Sequence, residues 1–383
     1  MNGRSFLFVV VGAVGAALLS GQADTIVTVV LFLLVLGSLV VIHELGHFVT
    51  ARLAGVRVLE FGIGFPPRAR VLRSAGETIY TLNWLPIGGF VKLEGEDGDD
   101  TDDPRSFVNA SLAKRLTILA AGVAMNVVLA FGIFTAVALV ATPYVGLQFF
   151  EVAPNSPAEK AGLQPGDAVI AINGERFEYM WDGRRTIIDG LKEHAGQAVT
   201  LTIAHADGRR AEVPVQLRDT SSGALGISGS DQPFKAYFPG EYTGHDLATA
   251  LSIGADTTRG SLGLIVDGLG QLVGSVARNP TQAPPVAGPV GIAIQIGEVF
   301  RDAGPIMTLY VAGILSANLA LVNILPFPPL DGGRMLIMVL KSLFGRRISV
   351  QAERLTYVVG FVFLFAFLIW ITSFDIVRGL QGG

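Results

Sequence analysis

Between Ile26 and Ile42 the chain carries no charged residue, and this apolar run leads directly into His43-Glu44-Leu45-Gly46-His47. A bilayer core about 30 Å thick is crossed by about 20 apolar residues in a helix. An apolar run that ends on two imidazoles and a carboxylate predicts a membrane-crossing helix with ionisable groups near one end. Three further stretches have the same apolar character: Leu116 to Ala141, about Pro305 to Leu325, and Leu355 to Phe374. Composition agrees. Only 16% of the 383 residues are charged and mean hydropathy is +0.53, whereas soluble domains carry about a quarter charged residues. The net charge of −4 offers no basic excess to a nucleic-acid partner. Cys is absent, which excludes disulfides, thiol catalysis and cysteine-held metal.

The charges between the spans orient them. Arg52, Arg57, Arg68, Arg70 and Arg73 follow the first span, Lys114 and Arg115 precede the second, and Arg334, Lys341, Arg346, Arg347 and Arg354 follow the third. Positively charged loops stay in the cytoplasm, so Pro143 to about Pro305 is expected outside. The expected fold is a polytopic α-helical membrane protein with four core transmembrane helices. It carries a membrane-dipping β-hairpin on the cytoplasmic side and an inserted extracytoplasmic β-rich domain. Phe6 to Ser20 is a short extra apolar stretch: a signal peptide, a hydrophobic arm or a fifth span. A retained span is favoured, because Asp24 is followed directly by the next one.

Segment boundaries follow. Residues 1–23 form the N-terminal hydrophobic segment, 24–56 the first core span, 57–109 the hairpin and an acidic loop, and 110–142 the second span. Residues 143–232 form the β-rich domain, 233–303 an amphipathic surface helix and a Pro-rich connector, 304–349 the third span with a broken segment, and 350–383 the fourth span and tail. In the β-rich domain, Phe149 to Val152 reads as a strand and Asn155 to Leu163 as a turn and short helix. Asn173-Gly174 and Asp207-Gly208 mark hairpin turns. In the cytoplasmic segment, Thr78 to Trp84 has strand character and is expected to present a free edge. Asp97 to Asp103 has the look of a calcium loop, but Asp102 stands where Gly is needed and Val108 where Glu is needed. A solvated acidic loop is the expectation.

The chemistry lies in His43-Glu44-Leu45-Gly46-His47. On a helix the two imidazoles, four residues apart, share one face and can grip one Zn²⁺, with Glu44 placed to take a proton from metal-bound water. Ionisable groups at the end of a span default to a functional reading. Two His leave a catalytic zinc one protein ligand short. His194, His205 and His245 lie in the outer segment, roughly a bilayer thickness away, so the third ligand is expected to be a carboxylate near the inner face. Asp331 is the candidate, at the end of a Pro-rich stretch that must break the preceding helix.

These motifs resemble the site-2 protease family of intramembrane zinc metalloproteases, most closely its bacterial regulator of sigma-E protease branch. The resemblance covers most of the chain after about residue 25. It includes HELGH, Phe61 to Phe65, Leu85 to Lys92, Ala120-Ala121-Gly122 with Asn126, Ala287 to Ile292, and Asn323 to Asp331. The outer domain resembles a single PDZ domain through Ser156-Pro157-Ala158 and Ala161 to Asp167. The resemblance implies His43, His47 and Asp331 as Zn²⁺ ligands, Glu44 as catalytic base, and Asn323 as a stabiliser of the oxyanion. It further implies a multi-pass protein of the bacterial inner membrane whose active site lies near the cytoplasmic face and whose PDZ-like domain is extracytoplasmic. The implied substrates are single-pass membrane proteins, such as trimmed anti-sigma factors and remnant signal peptides, met within membrane lipid. Val123 departs from the family pattern, which usually has Pro there. The alternative is a catalytically silent adaptor that binds peptide tails, against which an intact Glu44 argues.

Overall fold

The structure is a computed structural model, and it describes residues 23–96, 102–179, 186–220, 223–228, 234–279, 283–344 and 350–381. The stretch Phe6 to Ser20 and most of the acidic run lie outside the described residues. The chain divides into two compact units, one of residues 1–133 with 261–383 and the other of residues 134–260.

In the first unit, helix α1 (Ala23–Leu53) carries the opening apolar run and HELGH without interruption. It is followed by β1 (Val58–Ala75) and β2 (Thr78–Leu93), which pair with each other. Each strand folds back within itself, so the pair serves as four runs. Residues 60–63 match 89–92 on one side and 79–82 on the other, while 68–75 match 78–83. The run from Thr78 is therefore interior, flanked on both sides, and the expectation of a free edge there is wrong. The outer runs are 68–75 and 89–93. Alternation alone cannot tell an edge strand from a central one, which is why the sequence pointed to the wrong run.

Helix α2 (Leu112–Val140) starts after Ser111, whose hydroxyl accepts the Lys114 N–H. Ala51, Val56, Val58, Leu93, Phe107, Ile118, Leu119 and Met338 form one buried cluster. This cluster fixes the end of α1, both ends of the β pair and the start of α2 against α7 (Asp331–Phe344). Between α2 and α7 runs α6 (Pro289–Ile324), which kinks at Gly304 (φ 77°) just before Pro305. Pro326, Pro328 and Pro329 then prevent helix until Asp331 opens α7. Helix α8 (Val350–Gln381) returns along α6, and its Asp375 carboxylate accepts the N–H groups of Gly288 and Gly291 at the start of α6. Two donors that a helix start leaves unsatisfied are thereby paired inside the protein.

The second unit is built on a sheet of order β10-β3-β6-β5-β7-β8. Its strands are β3 (Thr142–Gln148), β5 (Ala168–Ile172), β6 (Glu175–Glu178), β7 (Ala198–Ala204), β8 (Arg210–Gln216) and β10 (Lys235–Tyr237), and β11 (Tyr242–Thr243) pairs with β3. Asn173 and Gly174, both at positive φ, make the tight β5–β6 turn. The strand expected over Phe149 to Val152 is shifted: β3 ends at Gln148, Phe149 turns into the core, and only Glu151–Val152 (β4) pairs, with Ile227–Ser228 (β9). Ser156 caps the short α3 (Pro157–Lys160), and Thr186 with Asp189 forms a reciprocal cap on α4 (Ile187–Glu193).

Helix α5 (Leu247–Arg278) belongs partly to each unit. The sequence reading has it as a surface helix. By length and composition, however, it is one of five helices among the described residues able to cross a membrane, against the four core spans expected.

Candidate metal centre

One turn of α1 separates His43 from His47, and the start of α7 brings Asp331 to both. Asp331 Oδ2 lies 2.9 Å from His43 Nε2 and 3.4 Å from His47 Nε2, and the two Nε2 atoms are 3.1 Å apart. A tetrahedral zinc with ligand bonds of about 2.0–2.1 Å has ligand-to-ligand edges of roughly 3.3 Å. The three donor atoms therefore fit three corners of such a shell. Glu44 stands beside them, with donor atoms of His43, Glu44 and His47 all within 4.8 Å of one another.

The partners of the outer ring nitrogens decide which atoms are free to hold a metal. His47 Nδ1 lies 2.8 Å from the carbonyl of Ile118, which can only accept, so Nδ1 carries the hydrogen and Nε2 the lone pair. His43 Nδ1 lies 3.2 Å from the side-chain amide of Asn126, whose Oδ1 is buried without a partner among the described residues. The two ends of an amide are told apart by their hydrogen-bond network. Turning this one over lets Oδ1 accept the Nδ1–H of His43 and frees Nε2 for the metal. Both imidazoles then have the backing acceptor that metal-bound His requires. Ser316 of α6 donates to the Asn126 carbonyl and ties this arrangement to the neighbouring helix.

Such close packing explains two small residues. A Cβ on Gly46 would lie 2.5 Å from the Ala121 carbonyl oxygen, and one on Gly122 would lie 2.5 Å from the His47 ring. Both glycines let α1 and α2 approach until the His side chains meet their acceptors.

A cavity of about 170 Å³ opens beside the centre. Glu44, His47 and Asp331 line it together with Phe90, Val91 and Leu93 of the outer 89–93 run, and with Glu96 and Arg334. It has room for several waters, each needing about 30 Å³. Asn323 sits at the end of α6, half-buried, and is not among the lining residues. The other imidazoles have local partners: His194 with the Gly190 carbonyl, His205 with Asp167, and His245 with Glu178. Sequence reasoning quoted Asn126 without giving it a role, although an Asn in the apolar run Leu116 to Ala141 is a usable signal, since a polar group inside a span defaults to function.

Comparison with known proteins shows the family. The signature of Peptidase family M50 matches residues 31–367. A Clostridium perfringens protein with a provisional zinc metalloprotease name is 33% identical over 349 residues, covering 91% of this chain and 98% of its own length. A similarly named Nostoc protein is 30% identical over 339 residues, covering 86% and 90%. Zinc metalloprotease RasP of Geobacillus kaustophilus is 27% identical over 442 residues, covering 93% and 99%.

Proposed function

The chain belongs to peptidase family M50 and is a membrane zinc metalloprotease; from that premise we propose that it cleaves peptide bonds within the membrane segments of single-pass proteins. The observation that carries this reading is the convergence of His43, His47 and Asp331 beside Glu44, in a cavity at the end of a membrane-crossing helix. His43, His47 and Asp331 would hold a zinc ion that, when bound, would acidify a water and polarise the scissile carbonyl. Glu44 takes the proton of the attacking water and returns it to the leaving amine. Asn126 and the Ile118 carbonyl keep the two imidazoles aimed. For Asn323 the oxyanion role rests on the family resemblance.

A helical substrate hides its amides in its own hydrogen bonds and has to be extended before attack. The 89–93 run offers an edge on the cavity wall to which an extended chain can pair, which replaces the lost bonds. Trimmed anti-sigma factors and remnant signal peptides are substrates of this kind. The basic loops favour an active site at the cytoplasmic face of the bacterial inner membrane, with the β-rich, PDZ-like domain outside. In this topology α5 lies along the outer surface.

The test uses the full chain in liposomes with a single-pass substrate. Cleavage should stop on chelation and return with Zn²⁺. A zinc-loaded preparation that leaves such substrates intact while cutting soluble peptides would contradict the reading.

A further inference from the structure

Arg334 is the one Lys or Arg among the described residues that line the cavity. It stands one turn beyond Asp331 on α7, and its guanidinium donates to Glu96 Oε1 at 2.7 Å. The other oxygen of the same carboxylate accepts the N–H of Leu93, the last residue of the 89–93 run, at 3.2 Å. Glu96 thus joins the end of the edge run to the helix that carries a metal ligand. On its far side the network continues: Tyr357 of α8 lies by Arg334 and donates to Glu353, which also takes Lys341 of α7 at 2.6 Å.

We propose that the Glu96–Arg334 pair is the device that sets substrate register, by fixing the depth of the 89–93 edge relative to Asp331. The inference rests on the strand-addition reading above and adds to it the residues that choose the bond. An extended chain paired to an edge can slip along it by two residues and keep equivalent backbone hydrogen bonds and the same side-chain faces. Only one register presents a given amide to the metal, so the edge has to be held against the metal ligands by something other than the ladder. The ladder here is irregular, with shifts in its register between Val58 and Glu60, opposite Leu93 and Lys92. The tether at Leu93 supplies the missing constraint. The buried cluster that packs Leu93 with Met338 would suffice to hold the fold, but it would not link the edge to Asp331 by directional bonds. Arg334 and Glu96 are positioning residues, and they act through the strand.

The experiment compares wild type, Arg334→Met, Arg334→Lys and Glu96→Gln as full chains in liposomes, with a single-pass substrate whose products are mapped by mass spectrometry. Zinc content is measured in parallel. Arg334→Met should keep its zinc, lose roughly ten- to hundred-fold in kcat/KM as expected for a misplaced scissile bond, and spread cleavage to neighbouring bonds. Arg334→Lys should return most cleavage to the wild-type bond, and Glu96→Gln, which keeps one acceptor oxygen and puts an amide donor in place of the other, should fall between. One unchanged cleavage bond in Arg334→Met with kcat/KM within about twofold of wild type would overturn the proposal. So would loss of zinc in both Arg334→Met and Glu96→Gln, which would make the pair a support for α7 alone. A wild type that cuts no membrane substrate would instead sink the protease reading itself.

Discussion

The two units treat the same chemistry in opposite ways. In the β-rich unit each His has a nearby partner of its own, as with His205 on Asp167 and His245 on Glu178. In the membrane unit His43 and His47 are turned toward each other and toward Asp331, and their outer nitrogens are spent on Ile118 and Asn126. The sheet edges differ in the same sense. Edge strand β8 contains Pro214, which removes a donor and discourages an incoming strand. The 89–93 run carries no proline and lines the metal cavity. Satisfied polar groups and a guarded edge are what stability alone requires. Convergent donors and an open edge cost stability, and in a membrane they cost more, so they mark where the molecule acts.

The largest contrast is between imidazoles. His43→Ala or Asp331→Ala removes one of three corners of the shell, and zinc content and proteolysis should both collapse, activity by roughly a thousandfold or more. His205→Ala in the β-rich unit should keep full zinc and near-normal cleavage. Full zinc and activity in Asp331→Ala would show that the third ligand is elsewhere. Asn126 sharpens the comparison at a smaller scale. Asn126→Leu should weaken zinc binding or activity by about 10–100-fold, while Asn126→Asp, which keeps an acceptor for His43 Nδ1, should stay close to wild type. Equal loss in both would mean that packing alone is at stake.

The smallest effect tests the two edges. Proline at Phe90 or Val91 should reduce cleavage by about fivefold with zinc unchanged wherever the lost N–H faces the cavity, since one paired hydrogen bond is worth about 1 kcal/mol. Proline at Glu212 in β8 should leave cleavage unaffected. Equal cleavage in all three would remove the strand-addition role from the 89–93 run.

Much of the membrane unit was legible because its signals are local. An uninterrupted apolar run followed by His43-Glu44 and His47 announces at once a long helix and a candidate metal site, and Pro326, Pro328 and Pro329 announce the break before Asp331. The hairpin turn at Asn173-Gly174 was legible for the same reason. What the sequence hid is non-local. Strand order cannot be read from alternation, so the interior run from Thr78 was mistaken for the edge. Asn126 and Ile118 act through contacts to His43 and His47 that are far away in sequence, and a backbone carbonyl leaves no sequence signal at all. Helix α5 was ambiguous in composition, apolar enough to span yet amphipathic enough to lie flat.

Glu44 is proposed as the base beside a metal held by His43, His47 and Asp331. Glu44→Gln is close in size and cannot accept the proton of metal-bound water. With the full chain in liposomes, zinc content and substrate cleavage are measured side by side. The account predicts zinc equal to that of wild type and no detectable hydrolysis. Hydrolysis near the wild-type rate in a zinc-replete Glu44→Gln protein would contradict it.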